Sequence, residues 1–189
     1  MEFTKRDPII ILIGGNARSG KSTIAHYMEE KYKEMGKSVV QSPFTKYLKD
    51  YIEEITEEKY TDQDKPRELL QKISAELIKK KLNRPNFFID REIEDIEFYS
   101  YFKDIILIPD VRFPQEYEEI KKRFKNVISI LVTRYDYLSD LTPEQLQDVS
   151  ETALDDYKDY DYVVNNMVDT NLKDEALKIV KELDDKFIK

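Results

Sequence analysis

The sequence predicts a doubly wound α/β fold, in which a parallel sheet carries helices on both faces. Two observations predict it. Short apolar runs of strand length alternate along the chain with longer segments of helical periodicity. The first of these runs, residues 9–13, is unbroken, as a strand buried on both faces requires, and it leads directly into a glycine-rich turn and a helix.

The predicted strands cover residues 9–13, 39–42, 105–108, 127–132 and 162–164, each a short run rich in Val, Ile or Leu. Helical stripes, with apolar residues three and four apart, separate or follow them: Ile24, Tyr27, Met28, Tyr32 and Met35; Phe44, Tyr47, Leu48, Tyr51, Ile52 and Ile55; Leu69, Leu70, Ile73 and Leu77; Ile89, Ile93 and Ile96; Tyr117, Ile120 and Phe124; and Leu172, Ala176, Leu177, Val180, Leu183 and Phe187. Residues 43–104 are therefore predicted to form a helical insertion between the second and third strands.

Length and composition limit the classes of protein to which this chain can belong. With 189 residues, it is predicted to form a single domain, residues 1–189. It contains no cysteine, which excludes disulfides, thiol catalysis and Cys-based metal sites. The formal net charge of −8 argues against a broad nucleic-acid-binding surface, so no nucleic acid partner is expected. No signal peptide or membrane span is visible, which predicts a cytoplasmic protein without a membrane partner.

The glycine-rich turn after the first strand matches a phosphate-binding motif. Residues 15–22 fit the pattern G-x-x-x-x-G-K-[ST], the P-loop, in which inward backbone N–H groups and a helix N-terminus hold phosphates. Lys21 is predicted to act in catalysis as a positive charge on the phosphates, and the Ser22 hydroxyl to bind Mg²⁺. The predicted ATP site comprises Gly15, Asn16, Ala17, Arg18, Ser19, Gly20, Lys21, Ser22 and Thr23.

A second group of charged residues follows the third predicted strand. Asp110 and Arg112 lie at the carboxyl end of that strand, where ligands of open α/β sheets bind, and both are predicted to point toward the P-loop. Asp110 is a candidate catalytic residue that belongs to the Mg²⁺ shell or, if the acceptor is a hydroxyl, serves as its general base. Arg112 is a candidate catalytic and substrate-binding residue that grips an acceptor phosphate through two hydrogen bonds.

Further segments follow the P-loop in a fixed order: Phe44-Thr45-Lys46-Tyr47-Leu48-Lys49, Pro66-Arg67-Glu68-Leu69-Leu70-Gln71, Asp110-Val111-Arg112-Phe113-Pro114, Ser150-Glu151 and Asp161-Tyr162-Val163-Val164-Asn165. In this order, over nearly the whole chain, they resemble the deoxynucleotide monophosphate kinase family of phages and bacteria. The resemblance implies a three-layer P-loop kinase fold that transfers the γ-phosphoryl group of ATP to a deoxynucleoside 5′-monophosphate. It also implies acceptor binding by Phe44, Lys49, Arg67, Arg112 and Glu151, and a catalytic role for Arg134 near the triphosphate or the lid.

The chain departs from that family at four positions that bear on substrate choice. Where the family often has proline, tryptophan, glycine and histidine, this chain has Tyr47, Phe88, Ser74 and Asp148. The base of the acceptor is therefore left open. Asp90-Arg91 is similar to the Asp-Arg motif of some nucleotide kinases, but the preceding residues 87–89 predict the start of a helix instead.

The sequence supports one main functional hypothesis and two alternatives. A phosphate monoester has a second pKa of about 6, so at neutral pH it is already a nucleophile that requires cations more than a base. The main hypothesis is therefore ATP- and Mg²⁺-dependent phosphorylation of a (deoxy)nucleoside 5′-monophosphate to the diphosphate. An alcohol acceptor, as in dephospho-coenzyme A or shikimate kinases, would need Asp110 as its base. A non-catalytic nucleotide-binding protein is the third hypothesis.

The region after the fourth strand is predicted to contain a lid, at about residues 134–158. Thr142-Pro143-Glu144-Gln145 has the pattern of a capped helix start and follows a polar, tyrosine-rich loop. A mobile segment at this place would cover bound nucleotides. A homodimer is compatible with the sequence.

Overall fold

A five-stranded parallel sheet forms the centre of the computed structural model, which describes residues 2–61, 66–135 and 148–187 and, for Arg67, the backbone alone. Its strands are β1 (Ile9–Gly14), β2 (Val39–Gln41), β3 (Ile105–Val111), β4 (Val127–Thr133) and β5 (Tyr162–Asn165). All five lie where the sequence predicts them. The strand order is β2-β3-β1-β4-β5, so the strand that carries the P-loop lies in the middle.

The helices are α1 (Lys21–Glu34), α2 (Lys46–Thr56), α3 (Arg67–Lys72), α4 (Phe87–Tyr99), α5 (Pro114–Arg123), α6 (Val149–Thr152) and α7 (Leu172–Phe187). A π-helix, Ile73–Lys81, continues α3 without a break. Across the three described ranges, no helix combines the length and the apolar character needed to cross a membrane.

Parallel pairing brings the functional loops to one edge of the sheet. Ile10 of β1 pairs with Ile106 of β3 on one side and with Val127 of β4 on the other. Because all the strands run in the same direction, the segments that follow β1, β3, β4 and β5 emerge together at the carboxyl edge. The P-loop, Arg112, Arg134 and Asn166 are all found in these segments.

The two faces of the sheet form separate cores. On one face, Ile9, Ile11 and Ile13 of β1 pack with the buried residues of α1 and α7. On the other face, Ile10 and Leu12 pack with α4, α5 and Leu154. This alternation along a strand buried on both sides confirms the three-layer α/β arrangement.

The helical insertion has a small core of its own, and here two sequence predictions are wrong. A regular helical spacing predicts Leu77 on the buried stripe, but Leu77 is 41% exposed and its neighbour Ile78 is buried instead. The reason is the π-helix, in which hydrogen bonds join residues five apart, so that Ile78 follows Ile73 on the face toward α2. Ile55, predicted on the α2 stripe, is likewise exposed at the end of that helix.

Candidate active site

Residues 15–20 of the P-loop form a tight turn, called the cradle, that lies close against the sheet. Gly15 has φ 137°, in the region that favours glycine, and a Cβ added there would lie 2.1 Å from the carbonyl oxygen of Val132 on β4. No side chain can therefore replace the hydrogen of Gly15 without moving the loop away from the sheet. The Ser19 hydroxyl is buried in the same loop and has no hydrogen-bond partner within the described ranges, which leaves it available to a ligand.

Lys21 begins α1, and its side chain folds back over the loop. It is only 7% exposed, and its Nζ donates hydrogen bonds to the carbonyl oxygens of Gly15 at 2.8 Å and Asn16 at 2.6 Å. The ammonium group is thus held directly at the cradle. Ser22 and Thr23, the next two residues, are exposed at the N-terminus of α1.

A cavity of about 360 Å³ opens beside the cradle. Its lining includes five residues predicted to bind ATP, together with Arg134 and two residues that the sequence analysis missed: Arg18, Gly20, Lys21, Ser22, Thr23, Arg134, Asn166 and Leu172. The cavity therefore brings the predicted Arg134 together with the P-loop lysine. Its volume falls within the range of small-molecule sites.

Asn166 connects the end of β5 to the P-loop. Its Nδ2 donates to the carbonyl oxygen of Ser19 at 2.8 Å, and its backbone N–H donates to that of Thr133 at 2.8 Å. The side chain lies so close to Gly20 that an added Cβ there would be 2.9 Å from Nδ2. The signal that could have found Asn166 is its place directly after a strand, at the edge where such sheets bind ligands.

Arg112 and the P-loop converge on one carboxylate, that of Glu151. The Ala17 N–H donates to Glu151 Oε2 at 2.6 Å, and Arg112 Nη1 donates to Glu151 Oε1 at 2.9 Å. The same Nη1 also donates to the Gly15 carbonyl oxygen at 3.2 Å. An anionic group thus lies between a P-loop amide and a guanidinium, which identifies this point as one that accommodates negative charge.

Asp110 is oriented toward the loop between β2 and α2. Its Oδ1 accepts a hydrogen bond from the Phe44 N–H at 2.9 Å, and its Oδ2 accepts from the Thr45 N–H at 3.0 Å and the Thr45 hydroxyl at 2.8 Å. The sequence predicts that Asp110 points toward the P-loop, whereas its observed hydrogen bonds are with Phe44 and Thr45. The carboxylate holds the start of the helical insertion against the end of β3, and Phe44 itself is buried.

The remaining predicted residues are less closely joined to this centre. Lys49 lies on α2, with its side chain half-exposed and its Nζ 4.0 Å from Glu53. Arg67 starts α3, but its side chain is outside the description. Arg91 lies in α4, as the helix prediction requires, and pairs with Glu94 at 3.0 Å. Of the predicted lid, residues 136–147 lie outside the described residues.

Two buried carboxyl groups flank the Asp110 and Arg112 segment. Burial raises the pKa of Glu116. The N–H groups of Arg112 and Phe113 donate to its Oε2 at 2.7 and 3.0 Å and lower the pKa, but burial has the larger effect and the resulting pKa is about 7. Burial also raises the pKa of Glu92 well above its usual range. Glu116 therefore holds the backbone of the arginine segment while remaining partly protonated near neutral pH.

Comparisons with solved structures identify the fold. The structure of the APS kinase CysC of Mycobacterium tuberculosis in complex with AMPPNP and APS aligns with 95% of this chain and 99% of that chain, at 11% identity and a TM-score of 0.53. A shikimate kinase from Bacteroides thetaiotaomicron aligns with 93% of this chain and 97% of that chain, at 16% identity and a TM-score of 0.50. The fold is that of the P-loop kinases.

These similarities concern the fold, since the identities are low. No protein-family model matches the chain, and a search of the curated proteins finds no match.

Proposed function

We propose that this protein transfers the γ-phosphoryl group of ATP to a (deoxy)nucleoside 5′-monophosphate. The observation that carries the proposal is the convergence of the Ala17 N–H and the Arg112 guanidinium on a single carboxylate, at 2.6 and 2.9 Å. A phosphate oxygen makes the same hydrogen bonds as a carboxylate oxygen. An acceptor phosphate bound to Arg112 in place of Glu151 would therefore lie directly beside the phosphates that the Ala17 N–H and the rest of the P-loop would bind.

The donor side fits ATP. The backbone of residues 15–20, the buried Ser19 hydroxyl and the Lys21 ammonium offer donors to the β- and γ-phosphates, and the adjoining cavity of about 360 Å³ has room for more of the nucleotide. Arg134 lines that cavity, where its guanidinium would contact the triphosphate. Ser22 is the residue that would hold Mg²⁺, which neutralises phosphate charge when bound.

The acceptor side favours a phosphate over an alcohol. A monophosphate needs cations to offset repulsion from the triphosphate, and Arg112 provides one next to the Gly15 carbonyl oxygen at 3.2 Å. An alcohol needs a base, and the sequence offers Asp110 for that role. Three of the roughly four acceptor sites of the Asp110 carboxylate already take hydrogen bonds from Phe44 and Thr45, which leaves one for an acceptor hydroxyl.

The proposal is tested by coupled ADP release from ATP with a panel of acceptors. The panel contains the deoxy- and ribonucleoside monophosphates, dephospho-coenzyme A and shikimate, each with and without Mg²⁺. We expect Mg²⁺-dependent turnover with at least one monophosphate and none with the alcohols. Turnover with an alcohol alone would replace the proposal by its alternative, and binding of ATP without any turnover would support a non-catalytic nucleotide-binding protein.

A further inference from the structure

A second cavity, of about 410 Å³, lies on the acceptor side and shares no lining residue with the cavity beside the P-loop. It is bounded by the π-helix, the start of α4 and the start of α5. Its apolar walls come from Pro85, Phe88, Ile89, Phe113 and Pro114. Two aromatic rings in a cavity of this volume are typical of a site for a flat, partly apolar group.

This cavity begins one residue after Arg112. Phe113 is part of its wall, and Gln115, at its rim, is three residues from Arg112, so their Cα atoms are at most about 11 Å apart. Glu116 accepts hydrogen bonds from the N–H groups of both Arg112 and Phe113, which joins the wall of the cavity to the arginine segment. The wall of the cavity is therefore continuous with the backbone segment that carries Arg112.

Polar groups at the cavity offer a donor and an acceptor for hydrogen bonds. The Lys79 ammonium lies 4.7 Å from the centre of the Phe113 ring, which keeps its three donors at the cavity wall. The Gln115 Nε2 donates to Asn86 Oδ1 at 3.1 Å, so the Gln115 carbonyl oxygen remains to accept. Glu118 adds a carboxylate at the exposed side.

We propose that this second cavity binds the base of the acceptor nucleotide and selects bases that present a carbonyl oxygen beside a ring N–H, namely thymine, uracil and guanine. Lys79 donates to the base carbonyl oxygen, and the Gln115 carbonyl oxygen accepts from the ring N–H. The same edge of cytosine or adenine carries an unprotonated ring nitrogen, which cannot donate to Gln115 and leaves its oxygen unpaired. This inference rests on the proposed function, because it assigns a base-binding role to the acceptor side.

Two substitutions test the inference without disturbing a core side chain. Lys79→Met keeps the length of the side chain and removes the donor, and Gln115→Leu removes the acceptor. We expect each to raise the KM for dTMP and dGMP about tenfold, as the loss of one specific hydrogen bond does, while the KM for ATP stays unchanged. Lys80→Met is the matched control, since Lys80 is the next residue of the π-helix and is exposed outside the cavity.

Direct binding of dTMP and dCMP, measured by calorimetry on the wild type and the variants, separates this inference from the proposed function. Transfer to monophosphates with unchanged KM in both variants, or a wild type that prefers dCMP and dAMP, would overturn the inference and leave the function standing. Binding of dTMP that is weakened in both variants, without any transfer, would support the cavity and overturn the function. A wild type that neither binds nor phosphorylates a monophosphate would overturn both.

Discussion

The donor side of the site is formed mainly by one stretch of backbone, residues 15–23, whereas the acceptor side is assembled from side chains far apart in the chain. The Asp110 carboxylate accepts a hydrogen bond from the N–H of Phe44, 66 residues away, and the Arg112 guanidinium donates one to Glu151, 39 residues away. Backbone amides are held in place by the loop itself, so their ability to bind phosphate does not depend on neighbouring side chains. The position of a side chain on the acceptor side depends on the distant residue to which it is hydrogen-bonded. Substitutions on the donor side should therefore lower kcat or raise the KM for ATP, while those on the acceptor side should change which acceptor is used and how tightly it binds.

The largest expected effect is that of Lys21→Ala. The substitution removes the positive charge held at the cradle, so we expect kcat to fall by roughly 10²–10³-fold, as for the loss of one electrostatic stabiliser. Single-turnover phosphoryl transfer measures the effect, and circular dichroism checks that the variant is folded. Undiminished turnover would contradict the role of the P-loop in catalysis.

Replacement of Gly15 tests whether the backbone itself makes the donor side. In Gly15→Ala the added Cβ meets the Val132 carbonyl oxygen at 2.1 Å, so we expect the KM for ATP to rise about tenfold or more as the loop shifts. Gly36→Ala is the control, because no atom lies within 4 Å of its added Cβ. There we expect a loss of about 1 kcal/mol in the free energy of unfolding and no change in the KM for ATP. Equal effects on the KM for ATP in both variants would refute the claim that the backbone at Gly15 forms the donor side.

Arg112→Ala tests the acceptor side. Loss of hydrogen bonds from a charged group should lower kcat/KM for the acceptor by about 10–100-fold while the affinity for ATP stays within a factor of about two. Steady-state kinetics with each substrate varied in turn measures both. Arg91→Ala is the matched control, since Arg91 pairs on the surface with Glu94 at 3.0 Å. A collapse of ATP binding in Arg112→Ala would assign Arg112 to the donor side instead.

The smallest expected effect concerns stability and Glu116. Its pKa is about 7 in the folded protein against 4.5 without burial, so the folded state binds this proton more tightly than the unfolded chain. The wild type should therefore lose stability as the pH rises from about 4.5 to 7, by roughly 3 kcal/mol at most, since one pKa unit corresponds to about 1.4 kcal/mol. Glu116→Gln should lack this loss. Urea unfolding at pH 5 and pH 8 compares the two proteins, and parallel pH dependences would exclude the effect.

The sequence predicts the fold well because its signals are local, and the signal for the P-loop is local too. The run of residues 9–13 is apolar at every position, and the P-loop pattern extends over eight consecutive residues. Such signals can be recognised without knowledge of tertiary contacts. All five strands accordingly lie where the sequence predicts them, although β3 continues to Val111, three residues beyond its predicted end.

The rest of the site depends on contacts between distant residues. Asn166 reaches Ser19 across 147 residues, and nothing in the local sequence of Asn166 indicates that partner. The orientation of Asp110 toward Phe44 and Thr45 depends on how the helical insertion packs against β3. Ile78 is buried where the sequence predicts Leu77, because the segment is a π-helix, and ordinary helical periodicity gives no signal for a π-helix.

The position of Glu151 has a consequence for how binding should be measured. Its carboxylate already occupies hydrogen-bond donors of the P-loop and of Arg112, so a phosphate that binds there exchanges one anion for another. The measured enthalpy of phosphate binding is then the difference between the contacts of the phosphate and those of the displaced Glu151 carboxylate. The carboxylate acts as an internal competitor whose local concentration is fixed by the chain. Apparent affinities of the wild type therefore understate the intrinsic affinity of the cradle for phosphate.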